Sequence, residues 1–229
     1  MSNKQTMKPS LEIDDLIRLA KEFCLKETRY KNKELFGITD GKAVGTFIEQ
    51  KFKLFLLDKF DVIIGNSASG IDLPSKEINT DIKVTSIKQP QSSCPFKDAK
   101  QKIFGLGYNL LVFVYDKKDD NLSKTSILDF VSCSFVKKER TADYTTTYRL
   151  CEMLKDKANS EDIIAYLHDK NIPADEITLS KLAEQILLSP PEIGYLTISN
   201  ALQWRLQYGR IVNLTDEVNG IVKIIDKIN

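Results

Sequence analysis

Histidine is all but missing from this 229-residue chain, with His168 the one copy. A Ser-His-Asp or Cys-His machine needs that residue in a competent place. His168 instead follows an amphipathic run (Ile163, Ile164, Leu167) that places it on a helix surface. Cysteine is also scarce. Cys24, Cys94, Cys133 and Cys151 form no C-x-x-C pair and no regular spacing, so a Cys/His zinc site is not expected. They read as reduced thiols of a cytoplasmic protein. No apolar run approaches the length of a bilayer: the longest spans about 106–115, and the first ten residues lack the apolar core of a signal peptide. No G-x-G-x-x-G occurs. The segment Gly37-Ile-Thr-Asp-Gly41-Lys42-Ala43 is one residue short of a phosphate loop and has Ala43 where a magnesium-binding hydroxyl belongs. The net charge is only +1, so attraction to nucleic acid must come from local clusters of Lys and Arg.

What is present is an ordinary globular mixture, 42% hydrophobic and 28% charged. Its length fits one large domain, or a core with a substantial insertion. Helical spacing of Leu11, Ile13, Leu16, Ile17, Leu19, Ala20 and Phe23 predicts a helix over 11–27, and a second runs over 42–59, capped by Thr39 or Asp40. Val62, Ile63 and Ile64 read as a short strand before a polar glycine loop at 65–70. Residues 71–73 and 79–86 read as the arms of a hairpin. A Pro/Ser/Gln loop over 89–95 and a basic helix near 96–104 follow. Residues 110–115 are the best buried strand, closed by the polar run 116–121, and another strand carries Val131, Cys133 and Phe135. From Cys151 the chain turns acidic and helical, with breaks at Pro173 and at 189–191, and 198–212 resumes as a mostly helical stretch.

The second hairpin arm carries the chemistry. Strand alternation puts Asp81 and Lys83 on one face, roughly 6 to 7 Å apart along the strand. Asp72 lies on the facing arm. Hydrolysing a phosphodiester at neutral pH takes a divalent cation to polarise the phosphate, a deprotonated water and a stabilised leaving oxygen. Two carboxylates plus a phosphate oxygen make a sufficient magnesium site, so Asp72 and Asp81 are the candidate metal ligands. Lys83 is placed to hold the phosphate or the attacking water. The ordinary alternative is a solvated hairpin with an Asp81–Lys83 pair worth about 0.2–1 kcal/mol.

Gly70-Ile-Asp72 and Asp81-Ile-Lys83, nine residues apart at the aspartates, resemble the PD-(D/E)XK nuclease superfamily, and type II restriction endonucleases in particular. Ile71 replaces the usual proline before the first Asp. The resemblance covers about a third of the chain. It implies a restriction-endonuclease-like α/β fold, with a mixed β-sheet flanked by helices and a helical C-terminal part. It also implies a catalytic set of Asp72, Asp81 and Lys83, with Glu49 as the preceding acid on a helix and Mg2+ as cofactor. Outside the resemblance, Glu49 can form an i,i+4 pair with Lys53. Glu77 competes for a metal position but falls in the predicted turn.

Three segments are candidates for contacting DNA. Between Lys83 and Lys102, five lysines face the single acid Asp98, interleaved with Gln and Ser; here Lys88, Gln89, Gln91, Ser92, Ser93 and Lys97 are the candidates. Residues 137–149 add Arg140 and Arg149. Residues 200–213 hold no acid and add Gln203, Arg205 and Arg210 around Trp204. Residues 178–212, with a proline turn between two helical runs, suggest a helix-turn-helix-like unit.

These readings converge on a nuclease core over 1–150 and a helical region over 151–229 for DNA recognition or dimerisation. The expected function is a Mg2+-dependent type II restriction endonuclease cutting both strands of double-stranded DNA at a short site. A homodimer suits a palindromic duplex, and a cognate DNA methyltransferase is the expected companion. The alternatives are a structure-specific repair or recombination nuclease of the same superfamily and a non-catalytic DNA-binding protein.

Overall fold

Apolar stripes and well-placed caps set the helices. α1 (Ile13–Glu27) buries Leu16, Leu19, Ala20, Phe23 and Cys24 along one side. Asp40 opens α2 (Gly41–Lys59) by accepting the Lys42 N–H at 2.9 Å, and α2 buries Val44, Gly45, Ile48, Phe52 and Leu56. Then come β1 (Thr80–Ser86), β2 (Gln91–Cys94), α3 (Gln101–Phe104), β3 (Asn109–Asp120) and β4 (Thr125–Val136). A 3₁₀ turn at Lys138–Arg140 leads to α4 (Tyr144–Lys155), α5 (Ser160–Asp169) and α6 (Glu176–Leu188). The chain ends with β5 (Thr197–Ile198), β6 (Trp204–Gln207), α7 (Gly209–Val212) and β7 (Ile221–Asp226). The computed structural model describes residues 8–65, 70–94, 97–199 and 204–228, and of Trp204 only the backbone.

Two units make up the chain. The first draws on Met1–Gln89, Asn109–Phe135 and Val222–Asn229. Its four-stranded sheet has the order β1-β3-β4-β7, with β1 and β3 parallel. The short connection 121–124 makes β3 and β4 a hairpin, so the sheet is mixed. Residues 109–115 of β3 are buried without interruption, as a central strand covered on both faces requires. The helices α1 and α2 bring Phe23 and Phe52 onto Phe113 and Phe130, with ring centroids 5.0–6.2 Å apart.

The second unit comprises Pro90–Tyr108 and Val136–Ile221. Its helical part buries Leu150, Ile163, Leu167, Leu179, Leu182 and Ile186 together. Its sheet has three strands in the order β2-β6-β5, all neighbours antiparallel.

The fold class is as expected, and several local readings are corrected. Residues 62–64 form no strand, because their backbone has no ladder partner; Asp61 makes an isolated bridge to Ser10. The first hairpin arm shrinks to one bridge, Leu73 to Thr80, with N···O distances of 3.0 Å both ways. β3 continues through the polar run to Asp120, where it pairs in the hairpin and needs no buried face. Residues 91–94, expected as loop, are strand β2, and 204–207, expected as helix, are strand β6; each supplies the other's ladder. Among the described residues, the second helical run that a helix-turn-helix-like unit needs is therefore absent. α4 starts at Tyr144, ahead of the helical stretch expected from Cys151, and Asp143 caps it by accepting the Thr146 N–H at 2.9 Å.

Candidate active site

The first unit's edge strand β1 sits beneath α2, and the polar side chains between them form one cluster. Gly45 permits the approach: a Cβ there would lie 3.2 Å from the Val84 carbonyl oxygen. Glu49 and Lys53 follow at one and two turns along the same face of α2.

On β1, Ile82 points into the core while Asp81 and Lys83 alternate to the other side, where Lys83 Nζ lies 2.7 Å from Asp81 Oδ2. Asp72 arrives from the loop that leads to the Leu73–Thr80 bridge. Its Oδ2 accepts the Ile82 N–H at 2.8 Å, which pins the carboxylate against the strand beside Asp81. The Asp72 and Asp81 carboxyls share a hydrogen bond. Lys53 Nζ then bridges to Asp72 Oδ1 at 2.5 Å and to Glu49 Oε1 at 2.7 Å.

Three acids thus meet two lysines in a largely desolvated place. Burial pushes the Asp81 carboxyl up to about 6, with the Asp72 hydrogen bond and charge adding to the rise and Lys83 opposing it. Burial acts on Asp72 as well. There the hydrogen bonds from Asp81, Lys53 and the Ile82 N–H outweigh it and hold the carboxyl below its ordinary range. Burial and the nearby Asp72 charge raise Glu49 against the pull of Lys53. Burial would lower Lys53, but its hydrogen bonds to Asp72 and Glu49 prevail and keep its ammonium firmly protonated. Neighbouring carboxyls whose proton affinities are pushed apart in this way suit a site that binds a cation or moves a proton.

No set of three His, Cys, Asp or Glu side chains gathers around one point among the described residues. The Asp72–Asp81 pair is the candidate oxygen donor set. Two hard carboxylate donors suit magnesium, which keeps several waters, and leave room for substrate oxygens.

The family model described as "Type II restriction enzyme NspV" matches residues 10–223. A protein named type II restriction enzyme NspV, from a Nostoc species, is 50% identical over 214 residues, covering 93% of this chain and 96% of its own. This chain belongs to the NspV family of type II restriction enzymes. No solved structure matches it. The match takes in Glu49, Asp72, Asp81 and Lys83, and it also spans the whole of the second unit.

In this NspV-family chain the four expected catalytic residues fall in one cluster, with Glu49 joined through Lys53. Lys53 was missed as a member of the site, since an i,i+4 partner of Glu49 reads from sequence as a surface ion pair. The DNA-binding candidates scatter more widely. Lys88, Gln89 and Lys97 are exposed. Gln91, Ser92 and Ser93 lie on β2 and Arg205 on β6. Arg149 is exposed on α4, 3.9 Å from Glu152. Arg210 stacks 3.6 Å over the Tyr144 ring. Arg140 is committed to protein: its guanidinium donates to the Asn219 and Ile193 carbonyls at 2.8 and 3.1 Å and pairs with Glu192 at 3.1 Å. Gln203 lies outside the described residues.

Proposed function

We propose that this restriction enzyme hydrolyses phosphodiester bonds in both strands of double-stranded DNA at a short site, with Asp72 and Asp81 holding Mg2+ and Lys83 serving the attacking water. The observation that carries the reading is the meeting of Asp72, Asp81 and Lys83 at one edge of β1, in the order Asp, then Asp-x-Lys, that resembles the PD-(D/E)XK pattern. The cation would polarise the scissile phosphate and make a bound water acidic. The Ile82 N–H, donating to Asp72 Oδ2 at 2.8 Å, orients the carboxylate in advance of substrate. Lys83, tied to Asp81 at 2.7 Å, holds a positive charge beside the place where the phosphate oxygens gather charge. Glu49 would assist at one remove, through Lys53, which bridges it to Asp72.

The other parts of the reading follow from the substrate. Exposed Lys88, Lys97 and Arg149 are suited to phosphate contacts. Cutting both strands of a palindrome calls for a homodimer in the cytoplasm, accompanied by a DNA methyltransferase that protects host sites.

Plasmid digestion with Mg2+ tests the assignment. Defined fragments are expected, and Asp81→Ala and Lys83→Ala should each abolish them while duplex binding, measured with Ca2+, persists. Undiminished cleavage by both variants would sink the assignment of these residues.

A further inference from the structure

Two stretches of sequence more than a hundred residues apart are cross-strand neighbours in the second unit. The register pairs Gln91 with Gln207 and Ser93 with Arg205, and β5 adds Thr197 beside Gln207. Side chains directly opposite in an antiparallel ladder share a face, so Gln91, Ser93, Arg205, Gln207 and Thr197 stand on one side of this sheet. The other side carries Ser92, Leu206 and Ile198. Leu206 and Ile198 are buried, and the Ser92 hydroxyl meets the buried Tyr208 hydroxyl at 2.5 Å. The sheet therefore has a fixed inner face, and on its outer face Ser93, Arg205, Gln207 and Thr197 are exposed and Gln91 is half-buried.

The composition of that outer face is unusual. It holds two amides, two hydroxyls and a guanidinium, with no carboxylate and no apolar side chain. Arg205 makes no ion pair among the described residues, and its backbone is held by Ser199, whose Oγ accepts the Arg205 N–H at 3.1 Å. Gln can pair with adenine through two hydrogen bonds and Arg with guanine through two, while Ser and Thr serve either base. β5 contributes only two residues beside the β2-β6 pair, and a ribbon of two strands fits the major groove. Along one strand, same-face residues are about 6.6 Å apart, roughly two base-pair steps of about 3.4 Å each. Phosphate attraction alone would be served by lysines, which this face lacks.

We infer that the outer face of β2-β6-β5 reads base edges in the major groove, with Gln91, Arg205 and Gln207 as the specificity-determining residues. The inference rests on the reading of this chain as a site-specific DNA nuclease and names where that specificity resides. It adds Gln207 to the candidate readers and separates them from Arg149 and the lysines, which serve phosphates.

The test uses the full-length protein and the duplex sequence that it cuts in plasmid digests. A second duplex, with one base pair of that sequence changed, serves as the non-cognate probe. Affinities are measured with Ca2+ for Gln91→Ala, Arg205→Ala, Gln207→Ala and Arg149→Ala. The three sheet variants should bind the cut sequence about ten- to a hundredfold more weakly and the altered duplex within about twofold of the parent. Arg149→Ala should weaken both duplexes alike. Thermal unfolding controls for folding, and the conservative Arg205→Lys should keep non-cognate binding while losing discrimination. Sheet variants that fold, bind the cut sequence as the parent does and leave the same fragments would overturn the inference. A parent protein that gives no defined fragments with Mg2+ would instead overturn the nuclease reading beneath it.

Discussion

Lys53 Nζ lies 2.5 Å from Asp72 Oδ1, and both side chains are largely shielded from water, at 14% and 16% exposure. The ammonium neutralises the carboxylate that also accepts the Ile82 N–H. Removing it would leave Asp72 beside Asp81 with no cation in contact, held only by hydrogen bonds from Asp81 and the Ile82 N–H. In EDTA, Lys53→Met should lower unfolding free energy by about 2–4 kcal/mol, since a buried charge loses its partner. Mg2+ should restore much of that, because a cation can take over the neutralising role. Urea denaturation with EDTA and with Mg2+ checks both halves; equal losses in the two conditions would show that the lysine acts through packing alone.

Asp81 gives a pH dependence of definite sign. Its carboxyl rises from 3.8 to about 6, chiefly through burial, so the folded chain favours the neutral form more than the unfolded chain does. The stabilisation from this group is complete below about pH 4 and is lost as pH rises through about 6, a change of about 3 kcal/mol. Asp81→Asn should escape that loss. Its stability advantage in EDTA should thus grow from near zero at pH 4 to about 2–3 kcal/mol at pH 7. Parallel stability curves for parent and variant would refute it.

Gly45 tests how α2 is seated on β1. A Cβ there already presses on the Val84 carbonyl at 3.2 Å, so Gly45→Val must push the helix outward and carry Glu49 and Lys53 with it. The expected cost is about 1–3 kcal/mol. Initial cleavage rates should fall by roughly a hundredfold, as when positioning is lost by about 1 Å. A variant that loses stability but cleaves normally would disconnect this contact from the site.

Arg140 and Arg149 should behave as opposites. Arg140→Ala removes two hydrogen bonds to carbonyls and an ion pair, and should cost about 2–3 kcal/mol with little change in the salt dependence of DNA binding. Arg149→Ala should leave stability within about 0.5 kcal/mol and reduce the salt slope by about one. Chemical denaturation beside binding at several salt concentrations distinguishes them.

The first unit was legible because its signals are periodic. Apolar stripes gave α1 and α2, a continuous apolar run gave the buried part of β3, and alternation tied Asp81 to Lys83. The second unit's sheet was not legible. β2 has the sequence Gln-Ser-Ser-Cys, which has no strand propensity and becomes a strand through pairing with β6. β6 in turn looks amphipathic enough for a helix until its partner is known. β7 gave no signal that was read, although Ile221, Ile224 and Ile225 are buried. The role of Lys53 was hidden for a different reason, since nothing local shows that Asp72 would reach it from nineteen residues away.

The bond from the Ile82 N–H to Asp72 has a consequence outside catalysis. β1 ends its sheet, and an edge strand with open amides is a template for another chain to add to. Asp72 occupies one such amide with a charged group, and the Leu73–Thr80 bridge covers its neighbour. The same carboxylate that is proposed to hold the metal therefore also blunts the edge against unwanted strand addition. Any inactive form intended for structural work is better made as Asp72→Asn, which keeps an acceptor on that amide, than as Asp72→Ala, which uncovers it.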